Sequence, residues 1–391
     1  MTTRIARTAR RTHSFTESVI REMTRVAREH GAVNLAQGFP DFPAPDLIKE
    51  AACDAIRADV NQYAITWGAP SLRAALARKY GERYDMDVDT EREITVTCGA
   101  TEAMAAVMLA VVDPGDEVVV MEPFYENYGP DAILSQAKPV FLTLSRPDYR
   151  LEKEALAEVV TPRTRAIVLN TPNNPTGRVF DREELQAVAD VCIEHDLLAI
   201  TDEIYEHIHY EGEHVPLATF EGMRDRTITV SGASKTFSVT GWRIGTIVAP
   251  ADLTDAIRKV HDFLTVGAPA PLQEATAVAM NELGGDYYEA MVESYRARGE
   301  ILVSALQDAG FDCRHPQGAY YVLADFGALS DEDSMTFGKR LAAEGGVAPV
   351  PGGSFFSEPD RGRSLVRFVF CKEMDTLREA GRRLRDFTGK G

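Results

Sequence analysis

A chain of 391 residues can bury a large core, so one large domain with a smaller companion is the expected organisation. Its 42 basic and 60 acidic residues give a formal net charge of −18, which argues against a general affinity for nucleic acid or anionic membrane. No apolar run is long enough to cross a bilayer, and no apolar stretch follows the N-terminal arginines as it would in a secretory signal.

The cysteines are odd in number and scattered, and none forms a C-x-x-C pair. Such a pattern is typical of reduced, structural thiols, so we expect a cytoplasmic protein. The five residues are Cys53, Cys98, Cys192, Cys313 and Cys371.

The first 70 residues combine helical periodicity with two ordered loops. An arginine-rich arm precedes a predicted helix over residues 18–29. Residues 34–45 are too rich in Pro and Gly for the interior of an element, and Gly38 allows the backbone there to approach a ligand. A helix over residues 46–59 then leads to a second loop with aromatic residues, 61–68.

From residue 94 the pattern changes to short β-branched runs, each followed by polar or glycine residues and then a helical period. Continuous apolar strands that alternate with helices predict an α/β fold with a largely parallel sheet covered on both faces. The polar segments after the strands should therefore meet at one edge of the sheet and form one site. These runs are residues 94–97, 118–121, 166–169 and 197–200.

The C-terminal part predicts a small α+β domain. A long helix over residues 286–308 leads to strands at 318–325 and 365–370, with helices near 334–344 and 374–387. We therefore expect an N-terminal arm with a small-domain segment (1–45), a large domain (46–295) and a small domain (296–391).

One lysine, Lys235, lies in a turn of small residues over 231–245. An apolar run precedes this turn and another follows it, so Lys235 should lie where a strand ends in a loop, the usual ligand position in α/β folds. Arg243, eight positions on, can grip a phosphate and lower the pKa of a nearby amine. A phosphate-binding nucleotide loop would need Gly directly before the lysine, where this chain has Ser234. Lys235 is a candidate Schiff-base former, although a lone loop lysine is usually a solvated charge.

The polar segments supply what an aldehyde cofactor such as pyridoxal phosphate needs. Ala100 and Thr101 begin a helix after a strand, where a phosphate can bind. Asp202 ends another strand and can keep the pyridine nitrogen protonated.

Three further residues complete this cofactor hypothesis. Asn174 and Tyr205 can donate hydrogen bonds to the 3′-oxygen, and Tyr125 can stack on the ring. Each residue alone has a plainer explanation as a turn, a helix cap or a helix start. Their convergence on one sheet edge favours the functional interpretation.

Residues 174–177, 202–205 and 231–245 resemble the landmark motifs of the class I/II aminotransferases, pyridoxal phosphate enzymes of fold type I. The resemblance extends from about residue 15 to 387. It implies a mostly parallel seven-stranded sheet between helices. It also implies a cofactor bound by Lys235 as an aldimine, by Asp202, Asn174 and Tyr205, by Arg243 and the Ala100–Thr101 amides, and by Tyr125 under the ring.

The same resemblance implies a substrate site and a partner. Arg367 is similar to the arginine that clamps the substrate α-carboxylate, although an arginine on a strand more often forms a surface salt bridge. Gly38 lies in a stretch similar to kynurenine and glutamine/methionine-type transaminases, and would lie near that carboxylate, as would Asn174. Tyr63 matches a tyrosine that reaches the neighbouring subunit's cofactor phosphate, which implies a homodimer with shared sites.

Two departures from the family pattern stand out. Val266 and Gly267 replace an aromatic residue and a histidine of the kynurenine enzymes' side-chain pocket. Gly232 occupies a position that often carries a phosphate-binding serine, so Ser231 or Ser234 is expected to substitute.

The sequence predicts no metal site. His207, His209 and His214 lie close together, but no carboxylate or cysteine spacing completes a metal site, and a surface hairpin is the expected explanation.

The predicted activity is transfer of an amino group from an α-amino acid to a 2-oxo acid by a ping-pong mechanism, with Lys235, Asp202 and Tyr205 as catalytic residues. A carbon–sulfur β-lyase on the same scaffold is the alternative. A cofactor-binding sensor domain of a transcription regulator is disfavoured, since about 30 residues before the body are too few for a winged helix-turn-helix.

Overall fold

The computed structural model describes residues 7–390. Its centre is a seven-stranded sheet with the order β2-β8-β7-β6-β5-β3-β4, in which only β8 runs antiparallel to its neighbours. The predicted mostly parallel seven-stranded sheet is confirmed. The strands are β2 (Ile94–Thr97), β3 (Glu117–Glu122), β4 (Lys138–Thr143), β5 (Thr164–Asn170), β6 (Leu198–Asp202), β7 (Thr227–Gly232) and β8 (Gly245–Val248).

Helices cover both faces of this sheet, and within the described residues none is long and apolar enough to cross a membrane. They are α1 (Val19–His30), α2 (Asp46–Arg57), α3 (Pro70–Tyr84), α4 (Ala100–Val111), α5 (Tyr128–Leu134), α6 (Lys153–Val159), α7 (Arg182–Glu194), α8 (Ala233–Thr236), α9 (Ala251–Thr265), α10 (Ala270–Glu282), α11 (Gly285–Asp308), α12 (Ser334–Ala343) and α13 (Met374–Thr388).

The apolar runs of the sequence become buried strands. Every residue of β2 and β3 is buried, as is all of β5 except Arg165. On one face of the sheet, alanine-rich α4 packs in the same core cluster as Ile228 of β7 and Ile247 of β8. On the other face α7 begins with a capping box, in which Asp181 accepts from the Glu184 amide and Glu184 accepts from the Asp181 amide. Burial on both faces is what continuous apolar strands require.

A second, smaller sheet lies beyond the long helix α11. Its order is β11-β12-β9, from β9 (Tyr321–Asp325), β11 (Val350–Pro351) and β12 (Leu365–Val369), and all neighbours are antiparallel. The N-terminal segment returns to this region, because β1 (Val33–Asn34) pairs in parallel with β10 (Val347–Ala348). This pairing brings the loop that contains Gly38 towards the end of the central sheet.

Candidate active site

The carboxyl ends of the parallel strands meet at a cavity of about 510 Å³. All the sequence-predicted site residues except Tyr63 line it: Gly38, Ala100, Thr101, Tyr125, Asn174, Asp202, Tyr205, Lys235, Arg243 and Arg367. The convergence follows from topology, since parallel strands present their carboxyl ends on one edge.

Lys235 lies in the single helical turn α8, directly after β7, with its side chain half-buried. Its Nζ donates to the Gly38 carbonyl oxygen at 3.2 Å. Burial lowers the pKa of Lys235 to about 8, with a further lowering from the nearby Arg243 guanidinium. An amine with this pKa is partly neutral near pH 8 and can act as a nucleophile or a base.

Asp202 is the last residue of β6 and is almost fully buried. Its Oδ2 accepts from the Tyr128 hydroxyl at 2.7 Å, and its Oδ1 accepts from the Ile204 amide at 3.2 Å. Burial raises the pKa of Asp202, although both hydrogen bonds oppose this. Such a carboxylate can stabilise a protonated ring nitrogen at the cavity floor. The sequence did not predict Tyr128.

Asn174 is fixed from both sides. The backbone N–H of Asn174 donates to Asn170 Oδ1 at 2.8 Å, and Asn170 Nδ2 donates to the backbone carbonyl oxygen of Asp202 at 2.8 Å. Asn174 Oδ1 accepts from Arg367 Nη1 at 2.7 Å. The Asn174 Nδ2 group therefore remains as a donor. Asn170, which sequence reasoning missed, is the residue that holds the turn after β5.

Arg367 is buried in β12, with 1% of its surface exposed, and its Nη2 donates to the Ala36 carbonyl oxygen at 2.5 Å. The surface salt bridge considered for this arginine is excluded by its burial. The Tyr205 hydroxyl shares a short hydrogen bond with that of Tyr321, whose ring lies 4.5 Å from the Arg367 guanidinium. Burial raises the pKa of Tyr205 well above its ordinary value, so its hydroxyl stays protonated.

Arg243 and the N-terminus of α4 form a concave cradle. Arg243 Nη2 lies 3.4 Å from Thr101 Oγ1, and Nη1 donates to the Thr240 carbonyl oxygen at 3.0 Å. Gly99 has a φ of 82°, and a Cβ on it would lie 2.3 Å from Arg243 Nη2. Because Gly99 has no side chain, the Arg243 guanidinium can lie against the start of α4. A cation, a hydroxyl and the first amides of a helix together suit a phosphate.

The two serines near Lys235 have different surroundings. Ser231 is buried and its Oγ donates to Glu206 Oε1 at 2.7 Å, below the cavity. Ser234 lines the cavity. At Gly232, a Cβ would lie 2.5 Å from the Ile244 carbonyl oxygen, so a serine does not fit there without a backbone shift. Of the two, Ser234 is placed to reach a ligand.

The predicted surface hairpin for the three histidines is wrong for two of them. His207 and His214 are buried, and His214 Nε2 lies 2.8 Å from Glu203 Oε2. Burial lowers the pKa of His207 to about 3. The His207 ring packs against Tyr288 with centroids 4.7 Å apart, and the His214 ring packs against Tyr84 at 6.1 Å, contacts that sequence periodicity did not indicate. Within residues 7–390, no group of three or more His, Cys, Asp or Glu side chains could hold a metal ion.

Tyr63 is the exception among the expected site residues. It lies outside the cavity with 86% of its surface exposed. Its neighbourhood is also apolar and open: Phe263 is 92% exposed. Thr66 Oγ1 donates to Asp262 Oδ1 at 3.1 Å, which joins the two segments.

The comparisons with known proteins agree with this geometry. The family model described as "Aminotransferase class I and II" matches residues 30–384. The chain belongs to that family. It is 36% identical to the methionine aminotransferase of Escherichia coli (94% of this chain, 95% of the relative) and 35% identical to human kynurenine–oxoglutarate transaminase 1 (93% and 94%).

A solved structure, the N-succinyldiaminopimelate aminotransferase of Mycobacterium tuberculosis, superposes with a TM-score of 0.95 at 40% identity, covering 98% of this chain and all of that one. The expected aminotransferase fold is thus confirmed, and the chain is an enzyme of the transaminase type.

Class I and II aminotransferases depend on pyridoxal phosphate, and the cavity fits that cofactor. Arg243, Thr101 and the start of α4 offer donors to a phosphate, the buried Asp202 carboxylate suits a pyridinium nitrogen, and the Lys235 amine lies in the same cavity lining. Tyr125 supplies an aromatic face in the same lining.

Proposed function

We propose that the enzyme transfers the amino group of an α-amino acid to a 2-oxo acid by a ping-pong mechanism in which Lys235 is the reactive amine. The observation that supports this most strongly is the arrangement of Lys235, Asp202 and Arg367 around one cavity. Bound pyridoxal phosphate supplies an aldehyde that condenses with amines and a ring that withdraws electrons from the substrate Cα.

Each residue then has a defined task. Arg367 binds the α-carboxylate with its guanidinium and orients the Cα–H bond towards Lys235. Lys235 Nζ would take the Cα proton and deliver it to the 4′ carbon of the bound cofactor, as its lowered pKa allows. Asp202 keeps a proton on the ring nitrogen, and Asn174 and Tyr205 donate to the ring oxygen. Ala100, Thr101, Ser234 and Arg243 hold the phosphate, with Tyr125 against the ring.

The assembly is proposed to be a homodimer with shared active sites. Tyr63, Ile65, Phe263 and Leu264 together form an exposed apolar patch, which is unusual on a monomer surface. A second copy of the chain would bury this patch and bring Tyr63 towards the partner's cofactor phosphate. Sedimentation of Phe263→Glu against the unmodified protein tests this, since a buried charge should favour the monomer.

The relatives are named for different amino donors, so the donor is left to experiment. Purified enzyme should be mixed with single amino acids in the absence of a 2-oxo acid, and both the cofactor absorbance and the products recorded. Transfer predicts a stoichiometric 2-oxo acid and an aminated cofactor. Pyruvate with free ammonia from cysteine conjugates would indicate a lyase instead.

Lys235→Ala should lose the lysine-dependent visible absorbance and at least about a thousandfold in rate. Lys259→Ala is the matched control, because Lys259 is exposed and forms an ion pair with the exposed Asp255 on the same helix. Equal activity of Lys235→Ala and the control would contradict the proposal.

A further inference from the structure

Arg21 is a cation in the cavity wall that the proposed reaction does not use. It lies in the first turn of α1 and lines the cavity with its side chain exposed. The carboxylates near it in the sequence have other partners: Glu17 pairs with Arg25 at 2.7 Å, and Glu22 pairs with Lys339 at 2.7 Å. Within the described part of the chain, Arg21 forms no ion pair of its own.

Glu126, one of the acids in the cavity lining, is also hydrogen-bonded. Glu126 accepts a short hydrogen bond from the Ser18 hydroxyl, and Ser18 Oγ accepts from the Arg21 amide at 3.3 Å. These contacts fasten the start of α1 to the segment that follows Tyr125. The start of α1 is therefore anchored at the cavity, and the exposed Arg21 side chain extends from it with no salt bridge within residues 7–390.

Three of the cationic groups that line the cavity have a task in the proposed reaction. Lys235 is the reactive amine, Arg243 lies in the phosphate cradle, and Arg367 is the buried clamp for the α-carboxylate. Of the cations that line the cavity in the described part of the chain, Arg21 is the one left without a role. An unpaired arginine in a substrate cavity is suited to a second carboxylate, which it can bind in a bidentate manner.

Apolar side chains lie beside this cation. Ile20 of α1 and Phe39 of the loop that contains Gly38 line the same cavity. A methylene chain would pack on these side chains, while its charged end reaches Arg21.

We propose that Arg21 binds a carboxylate at the far end of the substrate side chain, so that the enzyme prefers dicarboxylic amino acids or 2-oxo acids over neutral ones of equal length. This inference rests on the proposed amino transfer and names its substrate class. Arg21 acts here as a specificity residue and takes no part in proton transfer.

The test compares substrates that differ only in charge. Single-turnover kcat/KM is measured for L-aspartate, L-glutamate and L-2-aminoadipate, each against its neutral analogue: L-asparagine, L-glutamine and L-norleucine. In Arg21→Gln the value for the best dicarboxylic substrate should fall roughly five- to tenfold while the neutral values stay within about twofold, and Arg21→Lys should restore part of the loss. Arg28→Gln, an exposed arginine of α1 outside the cavity lining, is the control and should change neither.

An equal loss for charged and neutral substrates, or no loss at all, would overturn the role of Arg21. Succinate and butyrate binding, measured by calorimetry on the cofactor-loaded protein, separates this outcome from failure of the proposed function. If the wild type transfers no amino group, weaker succinate binding in Arg21→Gln with unchanged butyrate binding still supports an anion site at Arg21. Equal succinate binding by the two proteins refutes it.

Discussion

Arg367 Nη1 donates to Asn174 Oδ1 across 2.7 Å, and this bond joins β12 of the small sheet to the turn after β5 of the central sheet. The arginine is buried, and its Nε atom has no hydrogen-bond partner among the described residues. A buried cation whose partners are only neutral oxygens is poorly compensated, so binding of a carboxylate anion relieves that cost. The same contact holds Asn174 in place.

Replacing Arg367 with lysine should therefore affect all amino acid substrates alike. Lysine cannot form the bidentate hydrogen bonds that an arginine makes with a carboxylate. We therefore expect kcat/KM to fall about 10- to 100-fold whatever the substrate side chain. Steady-state kinetics with one charged and one neutral amino acid measures this. Arg363→Lys, at an exposed position in the same region, should behave as the wild type. A loss confined to one class of side chain would contradict the α-carboxylate role.

The cradle at Gly99 predicts a specific effect of one added methyl group. In Gly99→Ala the Cβ would meet Arg243 Nη2 at 2.3 Å and push the guanidinium away, so cofactor binding should weaken about tenfold. Gly115→Ala is the matched control, because its φ of 94° imposes similar backbone strain while its Cβ has nothing within 4 Å. Equilibrium dialysis of pyridoxal phosphate distinguishes the two variants. Equal cofactor loss in both would mean that strain, and not displacement of Arg243, is responsible.

Sequence reasoning located most of the cavity lining because its motifs follow parallel strands. Asp202 is the last residue of β6, and Asn174 and Lys235 lie a few residues after β5 and β7. The topology of the sheet brings these strand ends together whatever the details of packing. Tyr63 was expected at the site through a second subunit, and a single chain does not contain that neighbour.

The residues that were missed depend on contacts between distant segments. Tyr128 is the first residue of α5, and only the fold reveals that its hydroxyl reaches Asp202, 74 positions away. Helical periodicity marks Arg21 as exposed but does not show that it faces a cavity. The burial of His207 likewise follows from packing around Glu206, whose carboxylate accepts from Lys79 at 2.7 Å.

The two serines near Lys235 give a paired prediction. Ser234→Ala removes a hydroxyl from the cavity wall and should weaken cofactor binding about three- to tenfold with little change in the free energy of unfolding. Ser231→Ala removes one of two donors to Glu206 Oε1, which keeps Lys79 Nζ at 2.7 Å, and should lower the free energy of unfolding by about 1 kcal/mol. Denaturant titration of the apoprotein and cofactor titration measure the two effects. The opposite pattern would assign the phosphate contact to Ser231.

Asp131 gives a prediction that depends on pH. It lines the cavity with 7% of its surface exposed, and its Oδ2 atom has no hydrogen-bond partner within residues 7–390. Burial raises its pKa from 3.8 to about 7. Between these values the folded protein binds a proton that the unfolded chain has released, so this group's contribution to stability falls as the pH rises from about 4 to about 7.

Asp131→Asn keeps the shape of the side chain and removes the charge. The free energy of unfolding of the variant should therefore increase relative to that of the wild type as the pH rises. We define the difference as the free energy of unfolding of the variant minus that of the wild type. This difference should be about 2 kcal/mol or more larger at pH 8 than at pH 4, since each unit of pKa shift corresponds to about 1.4 kcal/mol. Urea titrations of both proteins at the two pH values measure this difference. Asp113→Asn, at an exposed position, should show no such trend. A pH-independent difference at Asp131 would mean that the carboxyl group is ionised in the folded enzyme and compensated by water in the cavity.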